Sequence, residues 1–268
     1  MKIRFMSIGS GSCGNCYYLG VDDYGILIDA GIPSKIIRAT LKREGIPFES
    51  ICAVFVTHDH ADHIKALGVI ASKANIPVYA TRDTHRGINN NYCMSKPIDP
   101  MYVRYVVKGE ATQFRAFSIT PFEVPHDGTD NVGYFIEVGD TKFCIATDLG
   151  TITDEVSFYI DKANYLVIES NYEEQMLMMG RYPQFLKERV SGMTGHLSNQ
   201  ATAQYLAKNI NEHLKSIWLC HLSEENNHPE LAYKTVQMEF ARYGVIVGKD
   251  VALYVLKRAT PSPMYHLE

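Results

Sequence analysis

The chain has no uninterrupted apolar run long enough to span a membrane as a helix, and no Pro/Gly/Ser-rich stretch that would divide it into domains. Six cysteines in 268 residues are too few for a disulfide scaffold. Cys52, Cys144 and Cys220 fall in apolar strand-like runs, which reads as reduced, structural thiols. The opening Met1-Lys2-Ile3-Arg4-Phe5-Met6-Ser7-Ile8 intersperses charge among apolar residues and lacks the apolar core and cleavage site of a secretory signal, so the expected compartment is the cytoplasm. Positive charge is not in surplus either. With 26 Lys and Arg against 30 Asp and Glu the formal net charge is −4, which excludes a protein held on nucleic acid by its whole surface. An anionic substrate must then be drawn in locally, and bound divalent cations would supply the positive charge. We expect one domain over residues 1–268.

The densest chemistry lies in Thr57-His58-Asp59-His60-Ala61-Asp62-His63, where three imidazoles and two carboxylates fall between His58 and His63. The run Ile51-Cys52-Ala53-Val54-Phe55-Val56 before it reads as a buried strand, and the residues from Ile64 to Ile70 after it have helical apolar spacing. The ligands therefore occupy a strand-to-helix turn, where α/β proteins usually place their sites. The first thirty residues read as antiparallel strands, followed by a helix from Pro33 to Glu44. From Tyr102 to Ala146 the pattern is almost wholly strand, and helix-strand alternation returns after Asp148. The expected helices there run from Asn199 to Asn209 and from Pro229 to Arg242, with a closing strand from Val251 to Val255. Two β-rich halves that each then carry helices suggest two stacked sheets with helices outside.

Further polar residues fall where expected strands end: Asp29, His126, Asp148 and His221. Each alone reads as an ordinary surface or hydrogen-bonded residue. In order, Asp29, His58, His60, Asp62, His63, His126, Asp148 and His221 resemble the pattern of the metallo-β-lactamase superfamily: an early Asp, His-x-His-x-Asp-His, then a distant His, Asp and His. The resemblance spans almost the whole chain and implies an α/β architecture, the αββα four-layer sandwich, with a two-metal site at one edge of the sheets. It implies that His58, His60 and His126 bind one ion, that Asp62, His63 and His221 bind the other, and that Asp148 bridges them. Imidazole and carboxylate suit Zn²⁺ or Mn²⁺. Asp59, between two ligands, is expected to assist proton handling or orient its neighbours, and Asp29 to support a ligand rather than be one.

That superfamily hosts lactonases, thioesterases, redox enzymes and nucleases, so its fold alone selects no reaction. Thr194-Gly195-His196-Leu197-Ser198-Asn199, a helix, and then Leu219-Cys220-His221-Leu222-Ser223 resemble the corresponding part of ribonuclease Z. Glu169 resembles the carboxylate partner of that family's non-ligand His. The resemblance implies that Glu169 raises the pKa of His196, which then places a proton on the phosphate or the leaving oxygen. The plainer reading is that His196 caps the following helix and Glu169 is a solvated strand end. No basic insertion like the arm with which ribonuclease Z holds transfer RNA is evident, and Asp148 and His221 are too close in sequence to enclose a β-CASP insertion. Gly9-Ser10-Gly11-Ser12-Cys13-Gly14-Asn15-Cys16, Glu169-Ser170-Asn171-Tyr172 and the segment from Cys220 to Pro229 look most like the compact bacterial YycJ/WalJ group, which is associated with DNA exonuclease activity.

Arg181, Lys187 and Arg189 precede His196 and could contact phosphates, or could form a solvated helix face. Asn226, Asn227 and His228 could border the site, or serve as turn and N-cap residues. The Cys13-x-x-Cys16 spacing lacks a second pair and reads as a structural turn. The leading expectation is a phosphodiesterase, a DNA exonuclease in which a hydroxide held by two divalent metals attacks phosphorus while His196 and Glu169 assist the leaving group. Its partner is nucleic acid and no membrane is involved. The alternatives are a thioester or lactone hydrolase using the same metals, and a non-enzymatic adaptor, which the full set of ligand residues disfavours.

Overall fold

The computed structural model describes residues 1–94 and 96–268. The chain begins β1 (Ile3–Gly9), β2 (Cys16–Val21), β3 (Tyr24–Ile28), α1 (Ser34–Arg43), β4 (Ile51–Phe55), α2 (Ala61–Ile64), α3 (Leu67–Ala74), β5 (Val78–Ala80), α4 (Arg82–Asn90) and β6 (Val103–Tyr105). It continues β7 (Thr112–Phe114), β8 (Phe117–Glu123), β9 (Val132–Val138), β10 (Thr141–Ala146), α5 (Asp154–Ile160), β11 (Tyr165–Glu169), α6 (Glu174–Met179) and α7 (Gln184–Ser191). The last elements are α8 (Asn199–Asn209), β12 (Ser216–Cys220), α9 (Pro229–Arg242), β13 (Ala252–Val255) and β14 (Tyr265–Leu267).

These elements form two compact units: Met1–Glu110 with Gly128–Asn131 and Lys257–Glu268, and Ala111–Asp127 with Val132–Leu256. The sheet of the first unit has the order β14-β1-β2-β3-β4-β5-β6, antiparallel from β14 to β3 and parallel from β3 to β6. The sheet of the second has the order β13-β12-β11-β10-β9-β8-β7, antiparallel from β7 to β10 and parallel from β10 to β13. Hairpins join the antiparallel strands except β14, which comes back from the far end of the sequence to pair with β1, and the parallel halves need crossovers, which α1 to α9 provide. The β2–β3 hairpin turns on Asp22, whose φ of 49° lies in the left-handed region that Asp tolerates better than most residues.

In the first unit, Met6, Ile8, Leu27, Val54 and Val56 pack against Ile37 and Leu41 of α1, Leu67, Ile70 and Ala71 of α3, and Ile88 of α4. In the second, Cys144, Ala146, Leu166, Ile168, Ile217 and Leu219 pack against Val156 and Ile160 of α5, Leu206 of α8, and Val236 and Phe240 of α9. Complete burial of each large apolar side chain contributes roughly 1.5–3 kcal/mol. On the other face of the second sheet Trp218 lies among Phe143, Tyr165 and Tyr254.

Both sheets are mixed and flanked by helices, which agrees with the α/β expectation. The differences are local. The helix expected after the ligand turn is broken at Lys65 and Ala66 into α2 and α3, and Asn75 closes α3 with a left-handed φ of 55°. The closing strand is β14 rather than β13, because the terminal residues return to pair with β1. All six cysteines are free, and Cys144 and Cys220 are buried, as expected of structural thiols. Among the described residues no helix is long and apolar enough to cross a membrane.

Candidate metal centre

In each unit the polar residues gather where parallel strands end, the part of a mixed sheet where ligand sites form. Asp29 follows β3, the run from Thr57 follows β4, Asp148 follows β10, Glu169 ends β11 and His221 follows β12. Asp29, Asp148 and His221 all have positive φ, at 59°, 57° and 53°. Left-handed backbone disfavours residues with a Cβ. Three such residues at strand ends mark places where the chain is bent to aim a functional side chain.

In the first unit the organising group is the fully buried Asp29. Its Oδ2 accepts from His63 Nδ1 at 2.7 Å and from Thr57 Oγ1 at 2.9 Å, and its Oδ1 accepts from the Thr57 amide at 2.8 Å. Because the Thr57 hydroxyl hydrogen goes to Asp29, its oxygen accepts from His58 Nδ1 at 3.0 Å. One carboxylate thus orients two imidazoles and directs both through Nε2. Burial raises the Asp29 pKa, against the opposing pull of His63 and Thr57. The His58 ring lies 4.6 Å from that of His60 and 4.0 Å from that of His63, between centroids. Asn15 Nδ2 reaches His63 Nε2 at 2.9 Å and Asp62 Oδ2 at 3.3 Å.

Asp59 is tied down within the same unit. Its two oxygens accept from the amide and the hydroxyl of Thr129, at 3.0 and 2.5 Å, and its carbonyl accepts from Asn91 Nδ2 at 2.7 Å. A Cβ at Gly87 would overlap its carboxylate. The arrangement anchors the turn between His58 and His60.

The second unit is organised by Glu169, also fully buried. Its Oε1 accepts from His196 Nδ1 at 2.8 Å and His221 Nδ1 at 2.9 Å, and its Oε2 accepts from the amides of Leu149 at 3.0 Å and Leu197 at 3.2 Å. Burial favours a protonated Glu169, but the charge of His196 and the imidazole hydrogen bonds outweigh it and hold the carboxyl well below the usual range. Burial would likewise lower the His196 pKa, and Glu169 overrides this and raises it. Asp148 Oδ1 lies 3.2 Å from His221 Nδ1 and 3.9 Å from both His126 Nε2 and His196 Nδ1. His126 Nδ1 donates to the Gly195 carbonyl at 3.0 Å. Asp148, Glu169, His196 and His221 together have the composition of a metal site. Both Glu169 oxygens already serve imidazole and amide donors, however, which suits this carboxylate to orienting its histidine partners.

The residues fit divalent metal ions. Imidazoles whose Nδ1 atoms are engaged by Thr57, Gly195 and Glu169 carry their lone pair on Nε2, His63 Nε2 shares its place with the Asn15 amide, and Asp62 and Asp148 could add hard oxygen ligands.

The remaining residues named from sequence are dispersed. Arg189 pairs with Asp127 at 2.6 Å, one residue from His126. Lys187 Nζ donates to the Met178 carbonyl at 2.6 Å, and Arg181 lines a cavity of about 570 Å³ with Met176, Met179 and Glu225. His228 caps α9 through the Glu230 amide, and Asn226 and Asn227 are buried. Ser198, not His196, caps α8, accepting from the Ala201 amide at 3.1 Å. Sequence reasoning missed Asn15, Thr57 and Asn171, the last of which donates to the His221 carbonyl at 2.8 Å. All three lie in or beside runs already singled out, but a lone amide or hydroxyl has no ligand spacing.

Residues 24–216 match the family model described as the beta-lactamase superfamily domain. The chain is 33% identical over 267 residues to exodeoxyribonuclease YycJ of Bacillus anthracis, with both chains fully covered. It is 31% identical over 261 residues to exodeoxyribonuclease WalJ of Streptococcus pneumoniae, covering 97% of each. Its fold is similar to that of the metallo-beta-lactamase fold protein YhfI from Bacillus subtilis, with a TM-score of 0.71, 15% identity and full coverage of both. The chain belongs to the beta-lactamase superfamily, has the metallo-β-lactamase fold, and is a metal-dependent hydrolase.

Proposed function

We propose that this superfamily member is a phosphodiesterase acting on nucleic acid, a DNA exonuclease, that works with two divalent ions, Zn²⁺ or Mn²⁺. The ligand assignment follows the superfamily pattern: His58, His60 and His126 for one ion, Asp62, His63 and His221 for the other, and Asp148 for both. Bound ions supply a lowered pKa for water and positive charge against the phosphoryl oxygens.

The observation that carries the phosphodiester reading is the Glu169–His196 pair. His196 Nδ1 is committed to Glu169 at 2.8 Å, which leaves Nε2 as the atom able to carry a transferable proton, and the Glu169 carboxylate raises the pKa of the imidazole. A proton held at this position serves an alkoxide leaving group or an anionic phosphoryl oxygen, and general acid assistance of this kind contributes about 10²–10⁴-fold. Glu169 has a second task, since the same oxygen orients His221. Asp59, with both oxygens on Thr129, is a positioning residue for the ligand turn and does not carry the proton. The relatives named as exodeoxyribonucleases support DNA over a small ester as the substrate.

The test is digestion of end-labelled DNA and RNA, single- and double-stranded, by protein reconstituted with Zn²⁺ or Mn²⁺, beside the H60A and H196A proteins. We expect DNA to be shortened from an end and both variants to be severely impaired, with H196A at unchanged metal content. Activity that survives H60A is contamination. An H196A protein that turns over phosphodiesters normally refutes the acid role, and hydrolysis of thioester or lactone substrates without any phosphodiester cleavage refutes the reading itself.

A further inference from the structure

Beside the ligand turn of the first unit is a cavity of about 350 Å³, lined by Asp59, Arg86, Asn90, Asn91, Tyr92 and Thr129. Tyr92 is 92% exposed. A single exposed aromatic is ordinary, but the turn that carries this one is fastened to the ligand run. Asn91 donates to the Asp59 carbonyl at 2.7 Å and accepts from the Cys93 amide at 3.0 Å, which fastens the turn carrying Tyr92 to the residue between His58 and His60. Arg86 extends from α4 on the same cavity and pairs with Asp83 at 3.1 Å. Both side chains of that pair are exposed, so the interaction is weak and Arg86 can exchange Asp83 for another anion. Asp59 also faces the cavity, with its carboxylate oxygens engaged by Thr129.

We propose that this cavity is a nucleotide subsite in which an unpaired base stacks on Tyr92 while Arg86 meets the adjoining phosphate. Asn90 offers an amide to the base or sugar. The volume suits one nucleotide, and an aromatic face beside a cation is the usual means of holding single strands without reading sequence. Bases within a duplex are already stacked on their neighbours, so the subsite favours single strands and frayed ends. The inference rests on the nucleic-acid reading above and specifies the substrate for it.

The experiment is steady-state kinetics of the full-length, metal-reconstituted protein on a single-stranded oligonucleotide and on the blunt duplex of the same sequence, for wild type, Y92A, Y92F and R86A. We expect Y92A to raise KM for the single strand about tenfold, more than it lowers kcat, as for loss of one stacked base. Y92F should stay within about twofold of wild type, because the ring and not the hydroxyl does the stacking. R86A should raise KM, and the preference for single strand over duplex should narrow in Y92A. An unchanged KM in Y92A, or a Y92F protein as impaired as Y92A, overturns the subsite while leaving the nuclease reading intact. A wild-type protein that cuts no nucleic acid overturns both.

Discussion

At the scale of single residues, two buried carboxylates determine how the imidazoles are presented. Asp29 engages His63 directly and His58 through Thr57, and Glu169 engages His196 and His221. Replacing Asp29 by Asn keeps the size but removes the charge that supports His63, and we expect affinity for Zn²⁺ to fall about 10–100-fold, as for loss of a carboxylate behind a ligating imidazole. Calorimetric titration of D29N measures this, and wild-type affinity would show that Asp29 serves packing alone. A second prediction concerns His85, which is buried and donates from Nε2 to the Arg104 carbonyl at 3.0 Å. Burial lowers its pKa, so the folded state binds its proton more weakly than the unfolded chain. Its contribution to stability is therefore complete above the ordinary histidine value, about 6.5, and is lost as pH falls through the depressed folded value. Urea unfolding between about pH 7.5 and 5 should show wild type losing more stability on acidification than H85Q, whereas a constant gap would mean that His85 does not titrate with folding. The imidazoles of the candidate site were legible in the sequence because three of them fall within six residues at a strand end. Asn15 and Thr57 were not, since their role depends on a fold that brings residue 15 to residue 63 and residue 29 to residue 57.

At the scale of elements, the ligand turn is held by backbone. The Asn15 amide donates to Asp62 at 2.7 Å, the Ala30 amide to His63 at 2.8 Å, the Ala66 amide to Ala30 at 2.8 Å, and the Gly31 amide to Asn15 at 2.8 Å. Three loops thus interlock, and a Cβ at Gly31 would overlap the Asp62 carbonyl. The obstacle is main chain with no rotamer to yield, so G31A should destabilise the protein by about 1–3 kcal/mol and weaken metal binding together. Denaturant titration and calorimetry on one preparation test the coupling, and loss of stability with intact affinity would separate the loop packing from the site. The elements that periodicity exposed were those with a buried apolar stripe or a clear cap, such as α8 and α9. Periodicity does not reveal α4 because Arg82-Asp83-Thr84-His85-Arg86-Gly87-Ile88-Asn89-Asn90 has few apolar residues and a central Gly, and it is held instead by the Thr81 cap and by burial of Thr84, His85 and Ile88. Three-residue β14 gives no periodic signal, and only its pairing with β1 makes it a strand.

At the scale of the whole molecule, the charge balance limits how the substrate is held. A net charge of −4 leaves no general attraction for a polyanion, and the cations near the candidate site are partly committed, Arg189 to Asp127 and Lys187 to the Met178 carbonyl. Affinity must come from bound metal ions, from a few side chains such as Arg86, and from stacking, which is insensitive to salt. Each phosphate neutralised on a single strand contributes about −0.7 to the slope of log affinity against log salt, so two or three contacts give a slope of about −1.4 to −2. Measuring KM for a single-stranded oligonucleotide between about 50 and 200 mM salt at fixed metal concentration should therefore show a shallow dependence, where a protein with ten phosphate contacts would lose several orders of magnitude. A slope as steep as −6 would require a broad basic track. The acidic composition argues against one, and finding it would replace local capture at the ligand turn with binding along an extended strand.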